Sequence, residues 1–195
     1  MSKRIGILGG TFDPPHFGHL VLAQEISEKL KLNRVIFIPS AVPPHKTENE
    51  VSSAKHRFEM IKLAIKGNKL FSVSDIELKR EGPSYTVNTI KELKKIYAKA
   101  ELFFLTGSDI LEEILSWKDP QEIYRSIKIV IGLRPGFDEI DPNNQFAQKS
   151  QIIEITSLDI SSTLIKDKIK KGESIRYLVP RKVEEYIRKK KLYRR

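Results

Sequence analysis

Two histidines three residues apart, His16 and His19, follow two glycines and two prolines in "IGILGGTFDPPHFGHL", residues 5–20. Each of these is a poor local choice for a chain leaving an apolar strand, since glycine has no side chain to bury and proline no N–H to donate. Together their chemistry is coherent. Gly9 and Gly10 let backbone N–H groups approach a bulky anion, and a helix starting near residue 17 adds the N–H groups of its first turn and the positive end of its dipole. At positions i and i+3 the two imidazoles share one face of that turn, where they can donate to phosphate oxygens and stabilise charge moving onto a leaving group. The stretch therefore describes a phosphate cradle. One histidine capping the helix and the other packing in the core is the competing structural use of the same spacing. G-x-G-x-x-G is absent and no G-K-[ST] follows, which disfavours both a dinucleotide fingerprint and a Walker loop.

The cradle needs a strand before it and a helix after it, and the rest of the chain supplies the same alternation. Apolar, β-branched runs near 4–8, 34–38, 71–78, 102–106, 128–133 and 151–156 read as six strands. Helical patterns fall between them at 17–31, 54–66 and 86–98, with a broken region over 109–126. Strands alternating with helices predict an α/β fold with a doubly wound, mainly parallel sheet, in which ligands sit beyond the carboxyl ends of the strands. Residues 134–150 read as a polar surface loop with a short helical turn at 142–149. After residue 156 two helices remain, 161–171 ended by Gly172 and about 180–191 opened by Pro180. The expected organisation is a single domain, 1–195, of which about 157–195 is a C-terminal helical portion.

Composition narrows the chemistry. No run approaches the ~18 apolar residues of a membrane span, and "MSKRIGILGG" lacks the length and cleavage pattern of a secretory signal, so a cytoplasmic location and no membrane partner are expected. Without cysteine there is no thiolate metal site, and no metal-ligating cluster is read in the chain; Mg²⁺ arriving with a substrate is the expected ion. The net charge of +10 is concentrated at one end: residues 166–195 hold 13 Lys/Arg against 4 Asp/Glu, whereas residues 1–165 hold 22 against 21. A solvated basic helix end explains this, and phosphate attraction near a ligand site is the second reading. Aromatic residues are too sparse in the tail to indicate a stable nucleic-acid partner.

"GGTFDPPHFGH", with its H-x-G-H ending, resembles the signature of the nucleotidyltransferase α/β-phosphodiesterase superfamily, and "ISSTLIK", 160–166, resembles that superfamily's late helix start. There the hydroxyls of Ser161, Ser162 and Thr163 can hold triphosphate oxygens with Lys166 facing the same anion, N-capping being the alternative use of the serines. "IPSAVPPHK", "PSYTVNTIKEL", "LTGSDILEEILSWKDPQEI" and "GLRPG" resemble, in order and over essentially the whole chain, the bacterial nicotinate-nucleotide adenylyltransferase family. The family pattern ends its late motif in Arg where this chain has Lys166, which keeps the charge without the bidentate fork.

The resemblance implies a Rossmann-like nucleotidyltransferase fold and an enzyme that joins nicotinate mononucleotide to the AMP part of ATP, releasing pyrophosphate and forming deamido-NAD. Its implied catalytic residues are His16, His19 and Lys46. For ATP they are Gly9, Gly10, Thr11, Phe12, His16, His19, Gly107, Asp109, Ser161, Ser162, Thr163 and Lys166; for nicotinate mononucleotide they are Lys46, Ser84, Tyr85, Thr86, Trp117 and Arg134. Each also has a structural alternative. Lys46 can be a solvated surface lysine, Thr86 and Asp109 can be helix caps, and Trp117 can pack in the core instead of stacking on a pyridine ring. Another adenylyltransferase of the superfamily, such as one using pantetheine phosphate, and a non-catalytic nucleotide-binding protein are the alternatives at the level of function. Self-association is left open.

Overall fold

The computed structural model describes residues 2–44, 51–133 and 144–194. Lys46 and Arg134 lie outside the described residues. Six strands, β1 (Arg4–Gly10), β2 (Arg34–Pro39), β3 (Phe71–Val73), β4 (Glu101–Gly107), β5 (Lys128–Leu133) and β6 (Gln151–Glu154), form one sheet in the order β3-β2-β1-β4-β5-β6. All five pairings are parallel. The first strand is thus central, and the winding reverses between β1 and β4, the place where open α/β sheets bind ligands.

Period-two alternation places a different core on each face of the sheet. From β2, Ile36 and Ile38 join Ile7, Phe104, Ile129 and Ile131 on one side, beneath helices α3 (Thr86–Ile96), α4 (Ile110–Glu113) and α5 (Pro120–Ser126). Val35 and Phe37 join Leu8, Phe103, Leu105 and Val130 on the other, beneath α1 (Phe17–Lys29) and α2 (Ala54–Ala64). The remaining helices are α6 (Gln145–Gln148), α7 (Ser162–Lys170) and α8 (Arg181–Lys190). α7 and α8 build a third cluster in which Ile165, Val183 and Ile187 pack with Met60 of α2. Each such buried side chain contributes about 1.5–3 kcal/mol, so a few of them hold the C-terminal helices against α2.

Two stretches depart from the expected elements for identifiable reasons. The run 71–78 is a strand only to Val73, because Ser74 and Asp75 start a turn: the Ser74 hydroxyl accepts from the Ile76 N–H at 3.3 Å and the Lys79 N–H donates to the Asp75 carbonyl at 3.2 Å. The region 109–126 is broken into α4, a 3₁₀ turn Ile114–Ser116 and α5. Trp117 is extended, Asp119 has φ +51°, and Pro120 opens the next helix. In α8 the basic residues Arg188, Lys189 and Lys190 occupy the exposed last turn, where they suit the helix dipole, while Val183 and Ile187 face inward. Among the described residues no helix is long and apolar enough to cross a membrane.

Candidate active site

At the carboxyl ends of β1, β2 and β4 lies a cavity of about 500 Å³, within the ~300–1,000 Å³ of small-molecule sites. Gly9, Gly10 and Thr11 bring the end of β1 to it, Gly107 the end of β4, and Tyr85 and Thr86 the start of α3. Asp109 and Trp117 border it from the segment after β4. Nine residues nominated from the sequence, these eight and Ser84, therefore share one cavity. Among its described lining residues Lys118 is the one cation, its Nζ 4.7 Å from the Tyr85 ring centroid, while Glu77, Asp109 and Glu113 are acidic.

The competing local roles resolve differently from residue to residue. Asp109 is the N-cap of α4 but makes no side-chain cap bond, so its carboxylate is available to the cavity. Trp117 has both roles: it lines the cavity and packs edge-on against Phe104, with ring centroids 6.1 Å apart. Thr86 is the first residue of α3, whose N-cap Tyr85 provides no side-chain cap. Ser84 is a clasp. Its hydroxyl accepts from the Ala41 and Val42 N–H groups at 2.8 and 3.3 Å, tying the loop after β2 to the start of α3 and leaving one O–H to donate.

The remaining described nominees form a second group, joined to the cavity by the loop 10–14. His16 is the N-cap of α1 and is buried; its backbone N–H donates to His19 Nδ1 at 3.2 Å, and the two ring centroids stand 3.8 Å apart. The bond requires a lone pair on His19 Nδ1, which leaves the ring's proton on Nε2. Gly18 between them leaves the first ring room, since a Cβ there would stand only 3.0 Å from His16 Nδ1 and press on the imidazole. Phe12, at φ +52°, turns its ring into the core beside His19 and Phe37, so only its backbone can face a ligand. The first N–H of α1 is also committed: Phe17 donates to the Leu178 carbonyl at 3.1 Å, so the helix start offers fewer donors than its sequence suggests.

The late motif meets the early one directly. The Ser162 hydroxyl donates to the Pro14 carbonyl at 2.9 Å across 148 residues of chain, and Lys166 Nζ stands 3.9 Å from Asp13 Oδ2. Ser161 caps α7 by accepting from the Leu164 N–H at 3.0 Å. The serines thus do the capping and joining work, while exposed Thr163 and part-exposed Lys166 lie on the first turns of α7 beside the His16 loop.

Sequence reasoning missed the network beneath this junction. Arg57 is 1% exposed, and its guanidinium donates to the carbonyls of Ser52, Thr11 and Ala41 at 2.9, 2.9 and 3.1 Å, fixing three loops at once. Burial pulls its pKa down while the Asp13 charge supports the cation. Buried Asp13 accepts from the Ser52 hydroxyl, from the Ser52 N–H at 3.2 Å and from the Tyr193 hydroxyl at 2.5 Å. Burial, then the Asp13 charge, pushes the Tyr193 phenol far up, which keeps it a neutral donor. One signal was present: the buried face of α2 is Arg57, Met60 and Ile61, a charge in an apolar stripe. No group of three or more His, Asp or Glu among the described residues is arranged to hold a metal ion.

The model of the family described as "Cytidylyltransferase-like" matches residues 7–168, from β1 into α7. A protein of Desulfitobacterium hafniense (strain Y51) named "Probable nicotinate-nucleotide adenylyltransferase" is 44% identical over 199 residues, covering 98% of this chain and 96% of its own. One of the same name from Thermoanaerobacter sp. (strain X514) is 46% identical, covering 98% and 95%. The solved structure of Plasmodium falciparum nicotinic acid mononucleotide adenylyltransferase complexed with NaAD superposes with a TM-score of 0.82 over 98% of this chain and 97% of that one; at 23% identity it speaks to the fold. The match includes the glycines that end β1 and the serines that open α7, whose neighbourhoods the Ser162–Pro14 bond joins, and on these relationships the chain belongs to the nicotinate-nucleotide adenylyltransferase family.

Proposed function

We propose that this enzyme joins nicotinate mononucleotide to the AMP moiety of ATP, giving deamido-NAD and pyrophosphate. The observation that carries the reading is the junction itself: the Ser162–Pro14 bond brings a histidine pair and a lysine-bearing helix start together on the loop that leads from a cavity lined by the end of β1 and by an aromatic ring, Trp117. Phosphate-binding groups on one side and a stacking surface on the other suit a reaction between a triphosphate and a ring-bearing monophosphate.

A phosphate oxygen of the acceptor attacks the α-phosphorus of ATP in line, a P–O bond to it forms, and the bond to the β-phosphate oxygen breaks with pyrophosphate leaving. The acceptor is already dianionic near neutral pH, so no strong base is required and positioning with charge stabilisation carries the catalysis. His16, His19, Thr163 and Lys166 serve the triphosphate, as does Lys46 in this reading; backbone groups of Gly9 to Phe12 line its path, and Gly107 and Asp109 face the nucleoside. Thr86, Tyr85, Ser84 and Trp117, with Arg134, serve the acceptor. Mg²⁺ enters with ATP as part of the substrate. The reading places the reaction in the cytoplasm, without nucleic acid or membrane.

Incubating the protein with ATP, Mg²⁺ and either nicotinate mononucleotide, nicotinamide mononucleotide or 4′-phosphopantetheine tests this through pyrophosphate release and product mass. The expected result is turnover with the nicotinate acceptor, favoured over the amide by about 10² or more in kcat/KM, since donors placed for a carboxylate oppose an amide NH₂. Preference for another acceptor overturns the substrate assignment. Absence of pyrophosphate with all three overturns adenylyl transfer.

A further inference from the structure

We propose that Glu77 makes the acceptor pocket selective for a positively charged ring, its carboxylate attracting the pyridinium of the bound mononucleotide. The proposal rests on the reading of the cavity as the site of that acceptor. Glu77 is 7% exposed and borders the cavity together with Thr89, whose hydroxyl donates to its Oε1 at 2.5 Å. Thr89 follows Thr86 by three residues and Tyr85 by four at the start of α3, so the three share the helix face that turns to the cavity.

The bond fixes the carboxylate without neutralising it. Arg80 donates to Thr89 Oγ1 at 3.1 Å and to Glu92 at 2.8 Å, so it occupies a lone pair of the threonine and leaves the hydroxyl proton for Glu77. Arg57 faces the Glu77 charge as well as that of Asp13, but its N–H groups are bound to three carbonyls. Among the described residues no ion pair includes Glu77. A carboxylate withdrawn this far from water is costly until a positive group meets it. On nicotinate mononucleotide the phosphate and the carboxylate are negative, and only the quaternised ring nitrogen is positive. Against a wall whose other acids are Asp109 and Glu113, only the ring gains. Trp117 offers the same charge a π face, so two lining groups favour one feature. A phosphate ester with a neutral ring forfeits the attraction, which makes Glu77 a device of specificity.

Steady-state kinetics of the full chain test this with two acceptors of one shape. One is nicotinate mononucleotide; the other is the 5′-phosphate of 3-carboxyphenyl riboside, in which a C–C bond to the sugar leaves the ring neutral. The parent is expected to favour the charged ring by about 10-fold or more in kcat/KM. Glu77→Gln keeps the shape and an oxygen for Thr89. It is expected to lower kcat/KM about 10-fold for the charged ring, with the neutral ring and KM for ATP within about twofold. Equal losses for the two acceptors overturn the proposal and leave Glu77 a sugar or scaffold contact. A preference that survives Glu77→Gln intact also overturns it and assigns the ring charge to Trp117. Should thermal unfolding show that the variant does not fold, the parent carries the test, since equal kcat/KM for the two acceptors overturns ring-charge recognition. No turnover of nicotinate mononucleotide by the parent instead overturns the substrate reading on which the proposal rests.

Discussion

The backbone N–H of His16 and the Nδ1 of His19 are bonded across 3.2 Å, so the second histidine of H-x-G-H holds the first in place as the helix cap while its own Nε2 keeps the proton. The bond gives His19 the capping use, and the proton it leaves on Nε2 is compatible with the phosphate-donor role proposed for the pair.

Replacing His19 separates them. His19→Ala removes the cap acceptor and the donor, and is expected to lower kcat by at least ~10². Stability falls by about 1 kcal/mol, or roughly 2–4 °C in Tm. His19→Asn can restore the acceptor through its amide oxygen, so Tm recovers and kcat does not. Recovery of both in a paired measurement of Tm and kcat would leave His19 as a cap alone.

Trp117 stands edge-on to Phe104 and also walls the cavity. Trp117→Ala is expected to raise KM for nicotinate mononucleotide by about 10-fold, consistent with the loss of roughly 1.4 kcal/mol of ring contact, while KM for ATP stays within about twofold. Trp117→Phe should recover most of the difference. Equal increases for both substrates would show that the ring matters only for packing.

Arg57 binds three carbonyls from inside the protein. Arg57→Met leaves those acceptors and the Asp13 charge buried with fewer partners and is expected to cost about 3–5 kcal/mol, or on the order of 10 °C in Tm. Arg57→Lys should recover little, because an ammonium cannot reproduce a planar fork reaching three loops. A thermal melt near that of the parent for either variant would show that the carbonyls find other donors.

The fold was legible because its signals are local: strands buried on both faces read as apolar runs, and Gly172 and Pro180 mark helix limits through their own backbone preferences. The cavity wall was legible where motif residues sit at strand ends, as with Gly9, Gly107 and Asp109. What stayed hidden depends on distant partners. Nothing near Ser162 indicates that its hydroxyl will meet Pro14, and nothing in "KLYRR" indicates that Tyr193 will reach Asp13. That the Phe12 ring enters the core was also hidden, because it depends on a left-handed φ that turns the loop side chain inward. Glu77 and Thr89, bonded at 2.5 Å and bordering the cavity, come from a turn and a helix interior that carry no motif.

The Tyr193–Asp13 bond also has an order in time. Synthesis runs from residue 1 upward, and the partners are 180 residues apart. At about 5–20 residues per second, Asp13 is added roughly 10–40 s before Tyr193. Ser52 and Arg57 emerge early and can shape the loop; the phenol that tempers the Asp13 charge comes last. A growing chain with β1 already paired to β2 thus carries Asp13 with its Ser52 partner made and its phenol partner still to come.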